Sequence, residues 1–160
     1  MSALSMKSIP ADMPISAAKR DELPEILTLL EECNLPKEGL ATHLYTTLVA
    51  RKGKEIVGCS ALELYQEFAL LRSVAVKPPF RKRGLALNLT REALDLAKRY
   101  QVTNVYLLTE TASTFFSKVG FIRVPRSDVP ENIQRSTEFT TLCPDTATVM
   151  TVNITVGTHR

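Results

Sequence analysis

The stretch from Leu70 to Tyr100, LLRSVAVKPPFRKRGLALNLTREALDLAKRY, constrains the fold more than any other part of the chain. It reads as an apolar strand, a short turn with Pro78 and Pro79, the cations Arg81, Lys82 and Arg83 ahead of Gly84, and a long amphipathic helix. Leu85, Leu89, Ala93, Leu96, Ala97 and Tyr100 form one stripe on that helix, so it packs on a sheet by one side. A strand that empties through a basic glycine turn into a helix start is an anion site. The first helical turn leaves amides without intrahelical partners, and the peptide dipoles add positive potential there. Gly84 admits a ligand close to the backbone, Arg81 and Arg83 add formal charge, and phosphate or pyrophosphate is the expected guest.

The flanking sequence supplies a sheet for the helix to pack on. Residues 14–18 read as a first strand. Asp21 can cap a helix carrying Leu23, Ile26, Leu27, Leu30 and Cys33 on its core face, and Asn34 with Pro36 ends it. Residues 37–45 are ambiguous between loop and short helix. Residues 47–50, 55–65 and 68–76 follow as three strands joined by short polar breaks, an antiparallel meander. The helix crossover then sets a strand at 104–108 parallel to 68–76. A brief helix that Thr109 caps or opens runs through Lys118 and stops at Gly120, and a strand covers 121–124. A helical stretch runs from Ser127 and Pro130 toward Leu142, and a last strand spans 146 to about 156. The expected fold is mixed α/β: a mostly antiparallel sheet of six to seven strands with a parallel central pair and flanking helices.

At 160 residues the chain suits one domain, expected over 14–156 between unstructured tails at 1–13 and 157–160. A 44% hydrophobic and 23% charged composition is that of a soluble globular protein. The net charge of +3 fits a small anionic ligand better than nucleic acid, which wants a wider basic face. Cys33, Cys59 and Cys143 form no metal-ligand or disulfide spacing, so no metal is expected. With neither a leader nor a membrane span in the sequence, the expected setting is the cytoplasm, as monomer or homodimer with a small-molecule partner and no nucleic acid or membrane. No Gly-Lys-Ser/Thr follows Gly84, which excludes a nucleoside triphosphate loop, and a dinucleotide fingerprint needs two further glycines.

Two motifs carry a family resemblance. Arg81-Lys82-Arg83-Gly84-Leu85-Ala86 after a strand, and Phe116 four residues before Gly120-Phe121, resemble the GNAT superfamily of N-acetyltransferases over residues 14–125. The tracts LLRSVAV, VYLLTETASTFFSKVGF and VPENIQRSTEFTTLCPDTATVM are similar, more narrowly, to the arsenic-resistance N-acetyltransferase branch. The resemblance implies acetyl-CoA as co-substrate, with no acyl-enzyme, and a small amine acceptor such as an amino acid or an amino-acid-like toxin. By position it implies that Val74, Ala75 and Val76 pair with the pantetheine arm. It further implies that the turn with Arg81 and Lys82, and the amides of Arg83, Gly84, Leu85, Ala86 and Leu87, hold the pyrophosphate. An amide near Val74 would face the oxyanion, and Thr109 and Phe116 stand at positions that touch the cofactor.

Two departures from that pattern matter chemically. Phe116 stands where many relatives carry the tyrosine that protonates the thiolate, and Thr109 where many carry asparagine. Thr109, Ser113, Phe116 and Gly120 share one face at helical spacing, which makes Ser113 or a held water the substitute acid. A thiolate with a pKa near ~8.5 also leaves reasonably well unaided.

For the base, Glu63 acting through water comes first, with Glu110 and Glu138 behind it; the alternative for Glu63 is a surface carboxylate. Arg72, charged inside an apolar strand, either holds a substrate carboxylate beside Ser73 or pairs with Glu63. Ser136, Thr137 and Glu138 lie in a segment that could cover the acceptor or form a surface helix. Cys143 reads as a buried structural thiol before an arsenic ligand. Phe116 also leaves open a function of another class, a non-catalytic acyl-CoA-binding module.

Overall fold

Two long strands, β3 (Glu55–Tyr65) and β4 (Phe68–Val76), stand at the middle of the sheet order. A two-residue break separates them, in which Gln66 adopts φ 59°, the left-handed conformation that tight hairpins use. The computed structural model describes residues 12–137, 139–140 and 146–155. Glu138 and Cys143 lie outside them. So does most of both expected tails, but Met13 is only 1% exposed and Asp12 pairs with Lys52 at 2.7 Å, so packed chain begins ahead of Pro14.

Among the described residues the sheet has seven strands in the order β1-β2-β3-β4-β5-β7-β6, the other five being β1 (Ile15–Ala17), β2 (Thr47–Lys52), β5 (Asn104–Thr109), β6 (Ile122–Arg123) and β7 (Thr148–Asn153). β1, β2 and β3 pair antiparallel, with a register shift between Ala50 and Arg51. β4 and β5 are the parallel pair, matching Phe68 to Asn104 and Leu70 to Tyr106. The last strand, β7, inserts between β5 and β6 and pairs antiparallel with both. The helices include α1 (Leu23–Glu32), α2 (Leu85–Arg99), α3 (Ser113–Val119) and α4 (Glu131–Gln134), with 3-10 turns at Arg20–Glu22, Leu40–Thr46, Pro78–Phe80 and Arg126–Asp128. The chain divides into two compact units, Met1–Ala61 with Ser73–Ala93 and Leu62–Arg72 with Leu94–Arg160.

In the first unit the sheet is buried on both faces. One face sets Val49, Cys59, Ala61 and Ala75 with Ile26, Leu29 and Leu30 of α1. The other sets Ala50, Val57 and Val76 with Met13 and with Leu85 and Leu89 of α2. Neighbours Val49 and Ala50 thus serve opposite cores, as strand alternation requires. Gly58 permits the close approach of α2: a Cβ there would stand 2.9 Å from Leu89 Cδ1 and 3.1 Å from the Ala75 carbonyl.

The second unit gathers Leu70, Val129, Ile133 and Val149 with Tyr65, Phe68, Tyr106, Leu108, Val124 and Phe139.

Several local expectations give way to geometry. Asp21 does not cap α1: a 3-10 turn precedes the helix, and the Glu22 carboxylate accepts the Lys19 amide at 2.8 Å. Tyr100 is 46% exposed, because α2 ends at Arg99 and the chain turns back at Gln101, φ 65°, with the Val102 amide reaching the Ala97 carbonyl. Thr109 closes β5 instead of opening a helix; its Oγ1 accepts the Ala112 amide at 2.9 Å, and α3 starts at Ser113. Thr109 therefore does not share a helical face with Ser113 and Phe116.

Candidate functional site

The basic turn is built almost wholly from residues 76–88. Pro78–Phe80 forms a 3-10 turn, and Lys82 (φ 66°) and Gly84 (φ 81°) take positive φ on either side of Arg83. Such alternation points successive amides into one concavity that suits an anion. The α2 ladder opens with the Asn88 amide on the Gly84 carbonyl at 3.1 Å, so the amides of Leu85, Ala86 and Leu87 stand ahead of it. A Cβ built on Gly84 would meet nothing within 4 Å, so the space over the turn is open.

The two arginines of the turn are held differently. Arg81 donates Nε–H to the Val76 carbonyl at 2.8 Å and Nη2–H to Cys33 Sγ at 3.5 Å, and the Cys33 thiol itself donates to Val76 O at 3.6 Å. Arg83 lies over the Phe80 ring, 5.5 Å from its centroid. Arg81, Lys82 and Arg83 are all exposed. The contact of Arg81 with Cys33 spans 48 residues and had no signature in the sequence.

Ahead of the turn, β4 is distorted at one residue. Ser73 takes φ 61° inside the strand, a conformation that costs a non-glycine residue roughly 1–2 kcal/mol. The Cys59 thiol donates to the Ser73 carbonyl at 3.2 Å, fixing the distortion from β3. Ser73 is 8% exposed, followed by half-buried Val74 and by Ala75 and Val76 at 4% and 7%. The Lys77 amide rejoins the ladder on the Val57 carbonyl at 2.8 Å.

Within the second unit the structure brings Glu63 and Arg72 together. Arg72 Nη1 donates to Glu63 Oε2 at 2.9 Å, with side-chain exposures of 0% and 3%: the ion pair is formed and buried. Tyr65 donates its hydroxyl to Glu63 Oε1 at 2.5 Å. Burial, and then the hydrogen bond to Glu63, push the Tyr65 phenol far above its ordinary value, so it stays neutral. Ser136 is 6% exposed, and its hydroxyl accepts the Phe139 amide at 3.2 Å. Sequence reasoning passed over Tyr65, yet the signal was there: two residues from Glu63 on one strand, it must share its face.

Ser113 is half-buried at the first position of α3, where the Phe116 amide returns to the Ala112 carbonyl. Phe116 is 7% exposed and meets Phe121 and Phe115 edge to face, with centroids at 5.6 and 5.0 Å. Glu110 is exposed. Among the described residues no group of acidic, histidine or cysteine side chains is arranged to hold a metal, and no helix is long and apolar enough to cross a membrane.

Comparison with known proteins gives a consistent picture. A family model described as an acetyltransferase (GNAT) domain matches residues 43–123. An uncharacterised N-acetyltransferase of Chlorobaculum tepidum is 30% identical over 108 residues, 67% of either chain. An amino-acid acetyltransferase of Aeromonas salmonicida is 30% identical over 91 residues, 56% of this chain and 20% of that protein. N-acetylglutamate synthase from Neisseria gonorrhoeae, solved with coenzyme A and N-acetyl-glutamate, superposes with a TM-score of 0.79 at 19% identity, over 91% of this chain and 36% of the synthase. A Mycobacterium tuberculosis protein solved with CoA gives 0.75 at 21% identity, over 88% and 99%. The chain thus spans about a third of the synthase and a fifth of the Aeromonas relative.

Proposed function

The chain belongs to the acetyltransferase (GNAT) domain family, and on that premise we propose that it transfers the acetyl group of acetyl-CoA to the amine of a small, amino-acid-like acceptor. The observation that carries the reading is the turn from Lys77 to Gly84. It has alternating φ, a helix start, open space above Gly84 and three exposed cations, and these suit the pyrophosphate of CoA. Arg83 to Leu87 contribute amides there, and Arg81 braces the turn. Val74, Ala75 and Val76 follow the Ser73 distortion, and their backbone is the proposed partner of the pantetheine arm.

In this reading the acceptor amine attacks the thioester carbonyl directly. The new C–N bond forms as the C–S bond breaks, with the oxyanion facing the Val74 amide. The amine proton leaves to water, and the thiolate takes one from Ser113 or water. Phe116 has no proton to give. Both Glu63 oxygens already accept, from Arg72 and Tyr65, an arrangement that favours an anchoring role over proton abstraction. Arg72 and Ser73 are proposed to line the acceptor side. Thr109 and Phe116 are proposed as cofactor neighbours from the resemblance alone, and Glu138 as an acceptor neighbour from its place in the sequence segment that could cover the acceptor.

Amino-acid acceptors are supported by the relatives named as amino-acid acetyltransferases and by the synthase solved with N-acetyl-glutamate. An arsenic-containing amino-acid analogue is the narrower proposal, supported by the three sequence tracts given above. Thiol release from acetyl-CoA across a panel of amino acids and amine toxins tests the function. One or more amines should raise free CoA well above background. Tight CoA binding by calorimetry with no amine-dependent release would replace the enzyme with an acyl-CoA-binding module.

A further inference from the structure

The carbonyl of Ser73 and the amide of Val74 belong to one peptide plane. In a trans peptide the C=O and the N–H point to opposite sides of the chain, so whatever grips the carbonyl sets the direction of the amide. Ser73 takes φ 61° within β4, which turns this plane away from its setting in a regular strand. Cys59 of β3, 0% exposed, donates its thiol proton to the Ser73 carbonyl at 3.2 Å. A hydrogen bond on the carbonyl also polarises the peptide and strengthens its N–H as a donor. The residues beside Cys59 keep the neighbouring parts close. A Cβ on Gly58 would stand 3.1 Å from the Ala75 carbonyl, and Ser60 Oγ donates to the Leu89 carbonyl of α2 at 3.0 Å. All of these residues lie in the first compact unit.

We propose that Cys59 is a positioning residue for acyl transfer: by holding the Ser73 carbonyl it aims the Val74 amide at the oxyanion. The proposal rests on the acetyltransferase reading and adds to it a residue of β3 that neither sequence motif includes. Cys59 acts through the peptide plane and touches neither thioester nor amine. An oxyanion donor meets its full charge only in the transition state, so its misplacement falls on kcat and spares the binding of acetyl-CoA.

The test compares three variants of the full chain. Cys59→Ala and Cys59→Val both remove the donor, one with less volume and one with more, while Cys59→Ser keeps a donor. The two donor-free variants should lower kcat about fivefold, the worth of one neutral hydrogen bond, with the acetyl-CoA KM within about twofold. Cys59→Ser should hold kcat within about twofold, even as burial of a hydroxyl lowers its melting temperature. A purely structural role predicts a different order, with activity following melting temperature. A crystal structure of Cys59→Val should show the Ser73–Val74 peptide rotated from its plane in the unaltered protein, and one of Cys59→Ser should not. Activity that tracks melting temperature, a serine variant as slow as the other two, or an unrotated peptide in Cys59→Val each overturn the proposal. The crystal structures need no turnover, so an unrotated peptide refutes the role of Cys59 alone. An unaltered protein that acetylates no amine would refute the enzyme reading and this role together.

Discussion

Arg81 donates its Nε–H to the Val76 carbonyl at 2.8 Å, so the first cation of the basic turn closes that turn back onto the end of β4. The bond uses the directional fork of a guanidinium, which an ammonium lacks. Arg81→Lys should therefore behave like Arg81→Ala, each raising the acetyl-CoA KM by about tenfold. A lysine variant with wild-type KM would mean that charge alone matters there.

Gly84 separates strain from obstruction. Any side chain there is strained at φ 81°, but a Cβ meets nothing within 4 Å. Gly84→Ala should lower stability by about 1 kcal/mol and leave CoA binding within a few fold. Gly84→Glu adds a negative charge beside the proposed pyrophosphate and should weaken binding by about a hundredfold or more, with an unchanged circular dichroism spectrum. Calorimetry with CoA distinguishes the two, and unaltered binding in the glutamate variant would put the cofactor elsewhere.

Phe116 invites the reverse substitution. Its ring is 7% exposed and locked edge to face against Phe121. Phe116→Tyr buries a hydroxyl in an aromatic cluster, so the melting temperature should fall and kcat should stay within about threefold. A tenfold rise in kcat would show that this position delivers a proton here as well.

Acid stability should depend on Glu22. The Arg51 guanidinium, donating to both of its oxygens at 2.7 Å, holds the Glu22 carboxyl below the usual carboxylate range, with burial opposing. A carboxyl lower in the folded than in the unfolded chain stabilises the fold above its unfolded value, about pH 4.3, and that contribution is lost as pH falls through the folded one. Glu22→Gln should flatten this acid limb in urea melts taken from pH 6 to pH 3, and an unchanged slope would count against the pair.

Much of this architecture was legible because it is local. The spans of β3 and β4 follow from apolar runs between polar breaks, and the basic turn from its position between strand and helix. The parallel pairing of β4 and β5 follows from the handed crossover. What escaped is non-local or lies in the backbone. Insertion of β7 between β5 and β6 depends on pairings between residues far apart in sequence. The left-handed Ser73 occupies a position any strand residue could fill by propensity, and the bond that Cys59 donates to its carbonyl leaves no mark in the sequence. Thr109 looked helical by spacing because spacing cannot tell the last residue of a strand from a first helical turn.

The shortness of the outermost strands has a colloidal consequence. β1 is 3 residues long and β6 is 2, while the strands between them run from 6 to 11. Rims this brief give another molecule little unpaired backbone to extend, even with Ile122 standing 64% exposed on β6. Concentrated solutions should consequently resist fibrillar growth by strand addition.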